Sequence, residues 1–69
     1  MTTFELDIRL TKIFTYSATA ITPRQLTVAI HCLSRFVALA NRKGADRLAG
    51  EALRYQALLQ QDLSRHDPQ

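Results

Sequence analysis

The fold of this chain is decided by residues 26–59, LTVAIHCLSRFVALANRKGADRLAGEALRYQALL. Apolar residues recur there at steps of three and four, which keeps them on one side of an α-helix. One stripe precedes Gly44 and a second follows it, and glycine is the residue best able to end a helix in a left-handed cap. The stripes comprise Leu26, Ile30, Leu33, Val37 and Ala40, then Leu48, Ala52, Tyr55 and Leu59. The pattern predicts an all-α fold, an antiparallel helical hairpin whose core these stripes form.

Local signals predict the ends of the two long helices. Thr22, Pro23 and Gln25 occupy the N-cap, first and third positions of a capping box, so a helix is predicted over residues 22–43. The second helix is predicted over residues 45–66, and a short disordered tail is expected after it.

The preceding segment, residues 1–20, is amphipathic and fits two structures. Apolar and charged residues alternate over residues 4–10, which is typical of a half-buried strand. A helix also fits, because Glu5 stands four residues before Arg9 in the orientation that favours an ion pair. The residues on one face of that helix are Leu6, Leu10, Ile13 and Ser17. Since no second strand is evident, we predict a short N-terminal helical segment, whereas a strand would require pairing between two chains.

The size of the chain indicates that it depends on a partner. Its 69 residues are predicted to form a single domain, and a chain of this size buries only about 60% of the surface that its unfolded form exposes. Cys32 is the single cysteine, which excludes an internal disulfide and supplies too few ligands for a structural zinc. We predict no metal or cofactor, so association with another chain is the remaining source of stability.

Charge and hydropathy favour a cytoplasmic protein that does not enter a membrane. No window approaches the roughly 20 apolar residues that a span requires, and charged residues interrupt the first ten positions. The formal net charge is +3, and only Arg42, Lys43 and Arg47 form a cluster. We interpret that cluster as solvated charges near the end of a helix dipole, with a phosphate-binding patch as the alternative.

No residue pattern indicates an enzyme. His31 and Cys32 are adjacent, so on a helix they point about 100° apart and cannot share a metal or act as nucleophile and base. Asp62 stands four residues before His66 near a helix end, which indicates a solvated pair. Glu51 lies at helical spacing from two arginines, Arg47 and Arg54, which is typical of surface ion pairs.

A small dimeric helix-turn-helix-like DNA-binding regulator is the alternative class. Ala40 and Gly44 reproduce the spacing of alanine and glycine at the turn of that motif. Lys43 and Gly50 stand where the motif packs apolar residues, and the predicted helices are longer than its own. A ribbon-helix-helix would use residues 4–10 as a dimeric strand, but the gap to Thr22 is long for that fold. Nucleic acid is therefore the less favoured partner.

Each long helix carries more apolar residues than its contact face with the other long helix requires. Such a surplus marks a protein interface if it is exposed. The candidate partner-binding residues are Leu6, Leu10, Ile13, Phe14, Tyr16, Cys32, Phe36 and Leu39. Two outcomes stay open: the N-terminal segment covers this surplus within the chain, or a partner covers it. A second copy of the chain is a possible partner when no other is present.

The layout as a whole resembles a known family. A starting Met-Thr, a short amphipathic segment and a long helix precede the turn at residues 42–46, RKGAD, and a second helix contains residues 55–60, YQALLQ. This arrangement resembles, over nearly the whole chain, the small type III secretion needle co-chaperones, the YscE/PscE/EscE/SsaE-like family. Gly50 departs from a well-formed second helix, since glycine costs up to about 1 kcal/mol there, and it either weakens that helix or marks a close helix crossing.

The resemblance implies a cytoplasmic helical hairpin that binds a larger, tetratricopeptide-like chaperone. The two together keep the needle subunit soluble and unpolymerised before export. A chaperone of this kind shields the apolar helix of a polymerising subunit in a groove built from other helices. The family has no catalytic residues to carry over to this chain.

Overall fold

The computed structural model describes residues 2–66 as three α-helices. Helix α1 spans Thr3–Ala18, α2 spans Pro23–Arg42 and α3 spans Asp46–His66. No strand occurs within the described residues, so the helical alternative for the N-terminal segment is confirmed and the strand is wrong. The molecule is elongated, 41 × 17 × 13 Å, as expected if helices of about 30 Å lie along its long axis. The tail expected after residue 66 lies outside the described residues.

Capping boxes begin α1 and α2. In α2 the predicted box is present: the Gln25 amide donates to Thr22 Oγ1, and the Thr22 amide donates to Gln25 Oε1, both at 3.2 Å. In α1 the Thr2 amide donates to Glu5 Oε1 at 2.8 Å, and the Glu5 amide donates to Thr2 Oγ1. The Glu5 carboxylate therefore accepts from one backbone donor at its own helix end. Its expected ion pair with Arg9 does not occur among the described residues.

Gly44 ends α2 as the sequence predicts. Its φ is 75°, in the left-handed region. Its amide donates to the Asn41 carbonyl at 3.1 Å, and the Ala45 amide donates to the Ala40 carbonyl at 2.8 Å. These two bonds are the pair that defines a Schellman motif, and they satisfy carbonyls that the end of a helix leaves without partners. The chain then turns at once into α3.

The two glycines provide a matched test of this turn. A Cβ added at Gly44 or at Gly50 would meet no atom within 4 Å, so the substitutions differ only in backbone conformation. We expect Gly44→Ala to lower the free energy of unfolding by about 1 to 2 kcal/mol, since it strains a left-handed residue. Gly50→Ala should raise it by about 1 kcal/mol, because it lies inside α3. Urea unfolding followed by far-UV circular dichroism measures both, and changes of the same sign would contradict this assignment.

Gly50 marks no close helix crossing. It is exposed on α3, and the open space into which a Cβ would project leaves a weakened helix as its only effect.

One apolar core runs between the three helices. Its buried side chains are Leu6 and Leu10 from α1; Leu26, Ala29, Leu33, Phe36 and Ala40 from α2; and Leu48, Ala49, Ala52 and Leu59 from α3. Within the described residues, no buried side-chain nitrogen or oxygen lacks a hydrogen-bond partner. The buried hydroxyl of Ser17 donates to the Ile13 carbonyl at 2.7 Å, which satisfies a polar group at the inner face of α1.

The buried face of α2 is rotated relative to the predicted stripe. Of the predicted hairpin core, Leu26, Leu33, Leu48, Ala52 and Leu59 are buried, whereas Ile30, Val37 and Tyr55 are only half-buried. Ala29 and Phe36 take the central places of Ile30 and Val37. The physical reason is α1, which packs beside α2 and turns the centre of its buried face toward Ala29 and Phe36.

Two specific contacts join the helices away from the turn. Gln56 Nε2 of α3 donates to the Ile30 carbonyl of α2 at 3.3 Å, across 26 residues of sequence. The Phe14 ring of α1 meets the Tyr55 ring of α3 edge to face, with centroids 4.7 Å apart and planes at 75°. Such an aromatic pair contributes about 0.5 to 1.5 kcal/mol beyond its area of burial. Helix α1 is thereby attached to α3 as well as to α2.

Candidate protein-binding surface

The candidate partner-binding residues divide into core residues and surface residues. Leu6 and Leu10 are each 1% exposed and Phe36 is 4% exposed, so all three belong to the core of the chain itself. In this conformation α1 covers these side chains within the chain, so a partner cannot reach them unless α1 moves. Their contact with a partner stays a prediction.

The other candidates reach the surface. Ile13, Phe14, Cys32 and Leu39 are half-buried, and Tyr16 is exposed. Ile13, Phe14 and Leu39 each pack one side against the core and leave the other side accessible. They are therefore the part of the predicted set that another molecule is able to touch.

Four of the predicted partner-binding residues line one groove between α1 and α2. This α1–α2 groove has a volume of about 360 Å³. Its lining consists of Arg9 and Ile13 from α1, with Cys32, Arg35, Phe36, Leu39 and Arg42 from α2. Ile13, Cys32, Phe36 and Leu39 form an apolar floor, and the three arginines stand around it.

The arginines give the α1–α2 groove an uncompensated positive charge. No carboxylate is among its lining residues. The ion pairs within residues 2–66 are Arg47 with Glu51, at 2.8 Å, and Arg65 with Asp62, and both lie on α3. Arg9, Arg35 and Arg42 thus have no ion-pair partner in the described part of the chain. An apolar floor between unopposed cations attracts a ligand that is both apolar and acidic.

The same ion pairs bear on two expectations for α3. Glu51 pairs with Arg47 as predicted, but its expected contact with Arg54 is not formed within the described residues. Asp62 pairs with Arg65, three residues on. The side chain of its expected partner, His66, lies outside the described part of the chain.

A second, shallower depression lies between α1 and α3. It measures about 300 Å³ and is lined by Phe14, Glu51, Arg54, Tyr55 and Leu58. Arg54 and Glu51 have opposite formal charges, and the Glu51 carboxylate is already paired with Arg47. Leu58 is 54% exposed beside the Phe14–Tyr55 pair.

Apolar surface also persists outside both depressions. The other exposed large apolar side chains are Phe4, Ile8, Tyr16, Ile21, Val28 and Leu53. Phe4 and Ile8 are four residues apart and lie on the outer face of α1, opposite Leu6 and Leu10. Helix α1 therefore covers part of the apolar surplus of α2 and α3 and adds exposed apolar residues of its own.

Sequence reasoning missed two residues of the α1–α2 groove. Arg35 played no part in the sequence interpretation, and Arg9 was considered only as the partner of Glu5. A signal for Arg35 existed: Cys32, Arg35, Leu39 and Arg42 follow one another at steps of three and four, so they share one flank of α2. No comparable signal connects Arg9 with them, because α1 and α2 meet only in the folded chain.

Residues 2–66 contain neither a helix suited to a bilayer nor a cluster of three acidic, histidine or cysteine side chains. None of the helices in this part of the chain contains an apolar stretch long enough to traverse a bilayer. No three side chains of histidine, cysteine, aspartate or glutamate in that range lie together as a potential metal site.

No protein-family model matches the chain, and no curated protein or solved structure shows significant similarity to it.

Proposed function

We propose that this chain is a protein-binding co-chaperone of a type III secretion system. In this role it stabilises a larger, tetratricopeptide-like helical chaperone, and the two keep the needle subunit unpolymerised in the cytoplasm. The chain acts by association, without catalysis and without a cofactor. The observation that carries the binding role is the α1–α2 groove, an apolar surface that stays open after all three helices have packed.

The proposed architecture is an antiparallel hairpin of α2 and α3 with α1 as an added helix. The three-residue turn and the hydrogen bond from Gln56 to the Ile30 carbonyl support it, since that bond spans 26 residues whose midpoint is Lys43. A hairpin of this kind presents long, parallel grooves, which are suited to receiving another helix.

The secretion role is supported by the layout of the chain, namely the short first helix, the RKGAD turn and the second long helix with YQALLQ. Its test is co-expression with the tetratricopeptide-type chaperone and the needle subunit encoded in the same genome. We expect a soluble complex of the three that size-exclusion chromatography with light scattering resolves at defined stoichiometry. Failure of the chain to enter that complex, while the other two proteins remain soluble together, would overturn the secretion role.

A DNA-binding role makes a different prediction at the turn. Lys43 lies in the turn and Arg47 in the first turn of α3, both outside the α1–α2 groove, and Arg47 is already paired with Glu51. We expect Lys43→Ala with Arg47→Ala to change partner affinity less than about twofold, since exposed charges contribute little to a distant interface. A DNA regulator would instead lose affinity and show a steep dependence on salt. Filter binding to mixed-sequence duplex DNA at two salt concentrations, beside the partner assay, separates the two classes.

A further inference from the structure

We infer that the α1–α2 groove binds an acidic amphipathic helix, with the apolar stripe of that helix on the groove floor and its carboxylates against Arg9, Arg35 and Arg42. This inference rests on the proposed function and names the chemistry of the segment that the partner presents. Charge complementarity carries it, because the groove combines an apolar floor with three cations and no carboxylate.

The floor requires apolar side chains from the ligand. Phe36 belongs to this floor and is only 4% exposed. Ile13, Cys32 and Leu39 are half-buried and keep accessible apolar surface. A purely acidic ligand leaves this surface in contact with water. An apolar stripe on the ligand covers it and excludes water from the adjacent ion pairs, which strengthens them.

The spacing of the arginines favours a helical ligand. Arg35 and Arg42 are seven residues apart on α2, or about 10 Å along its axis, and Arg9 stands across the groove on α1. A helix that lies along the groove presents carboxylates at the same two-turn interval, on both sides of an i, i+3, i+4, i+7 apolar stripe. Guanidinium groups bind carboxylates in a bidentate fashion, so arginine suits this pairing better than lysine.

Other occupants match the groove less well. Nucleic acid supplies negative charge, but its phosphates lie on a polar backbone that does not cover an apolar floor. Its bases have no ring to stack on, because Phe36, the one aromatic side chain of the floor, is buried. A second copy of this chain carries the same net charge of +3, which opposes its approach to a cationic groove.

The test uses designed peptides as probes with the full chain. One is an amphipathic helix with leucines in a single stripe flanked by glutamates. A second has lysine in place of each glutamate, and a third has the composition of the first in scrambled order. Fluorescence anisotropy gives the affinities, and amide chemical-shift changes in nuclear magnetic resonance spectra locate the site. We expect the acidic amphipathic peptide to bind about tenfold or more tightly than either of the others, with shifts centred on Cys32 and Leu39.

Charge reversal supplies the matched control. The groove variant carries Arg9→Glu, Arg35→Glu and Arg42→Glu, and the control variant carries Lys12→Glu, Arg24→Glu and Lys43→Glu, so the two have equal net charge. All six side chains are exposed, so both variants are expected to fold, which circular dichroism checks. The groove variant should lose the acidic peptide and bind the lysine peptide instead, while the control variant keeps the preference for the acidic peptide.

Several results would overturn the inference. These are equal binding of the acidic and scrambled peptides, equal losses in the two variants, shifts centred on Phe4 and Ile8, or tighter binding of duplex DNA than of the acidic peptide at the same salt. If the acidic peptide does not bind while the complex with the larger chaperone forms, only this inference is wrong. If the peptide binds in the groove and no chaperone complex forms, the secretion role falls and the groove assignment stands.

Discussion

Replacing Leu33 by alanine is expected to lower the free energy of unfolding by about 3 kcal/mol, within the range of about 2 to 5 kcal/mol that buried leucine truncations cost. Leu33 is 0% exposed at the middle of α2, where it contributes to the core shared by the three helices. Removal of its branched end deletes apolar contacts and leaves a cavity that the packed helices close only in part. A chain of 69 residues has little stability to lose, so a large share of the variant should be unfolded at room temperature.

Leu53→Ala is the matched control for this truncation. Leu53 lies on α3 and is 51% exposed, so the same chemical change there removes little buried surface. We expect a loss below about 1 kcal/mol. Urea unfolding of both variants, followed by far-UV circular dichroism, gives the two values on one scale. Similar losses at the two sites would show that the core does not lie where the structure places it.

The second large effect is expected from a charge placed at Leu10. Leu10→Asp puts a carboxylate without a partner at a position that is 1% exposed, which costs about 3 to 5 kcal/mol. Ile8→Asp makes the same kind of change two residues away on the outer face of α1, where the side chain is 40% exposed. We expect the Ile8 variant to lose about 1 kcal/mol or less.

Hydrogen exchange of backbone amides is the appropriate measurement for this pair. Amides of α1 should lose their protection in the Leu10 variant, whether α1 alone detaches or the whole chain unfolds, and should keep it in the Ile8 variant. This experiment also decides between the two roles of Leu10. If Leu10 served an interface with a partner, as the sequence suggested, the isolated Leu10 variant would retain the protection of the unmodified chain.

The local chemistry of the helix ends was predictable because it depends on neighbouring residues alone. Thr22 and Gln25 form their capping box within one turn, and Gly44 adopts its left-handed conformation within the turn that it closes. The apolar steps on both sides of Gly44 were sufficient to predict two long helices for the same reason. The helical character of α2 and α3 follows from these signals.

The first helix shows where local signals become ambiguous. The apolar residues among positions 4–10 fit both the two-residue period of a strand and the 3.6-residue period of a helix. Over so short a stretch, periodicity does not distinguish the two. Two further features favour the helix: the capping box of Thr2 with Glu5, and the apolar flank of α2 on which Leu6 and Leu10 are buried. The first feature is readable in the sequence, and the second exists only after the helices have packed.

The sequence by itself determined the two long helices, the capping box of α2 and the turn at Gly44, since each depends on residues within about four positions of one another. Tertiary structure alone decided which flank of α2 is buried, because Ala29 with Phe36 and Ile30 with Val37 fit helical spacing equally well until α1 packs on one side. It also decided the α1–α2 groove. Arg9 comes to stand opposite Arg35 and Arg42 through the packing of two helices, and helix packing follows from the shapes of whole faces rather than from any local pattern.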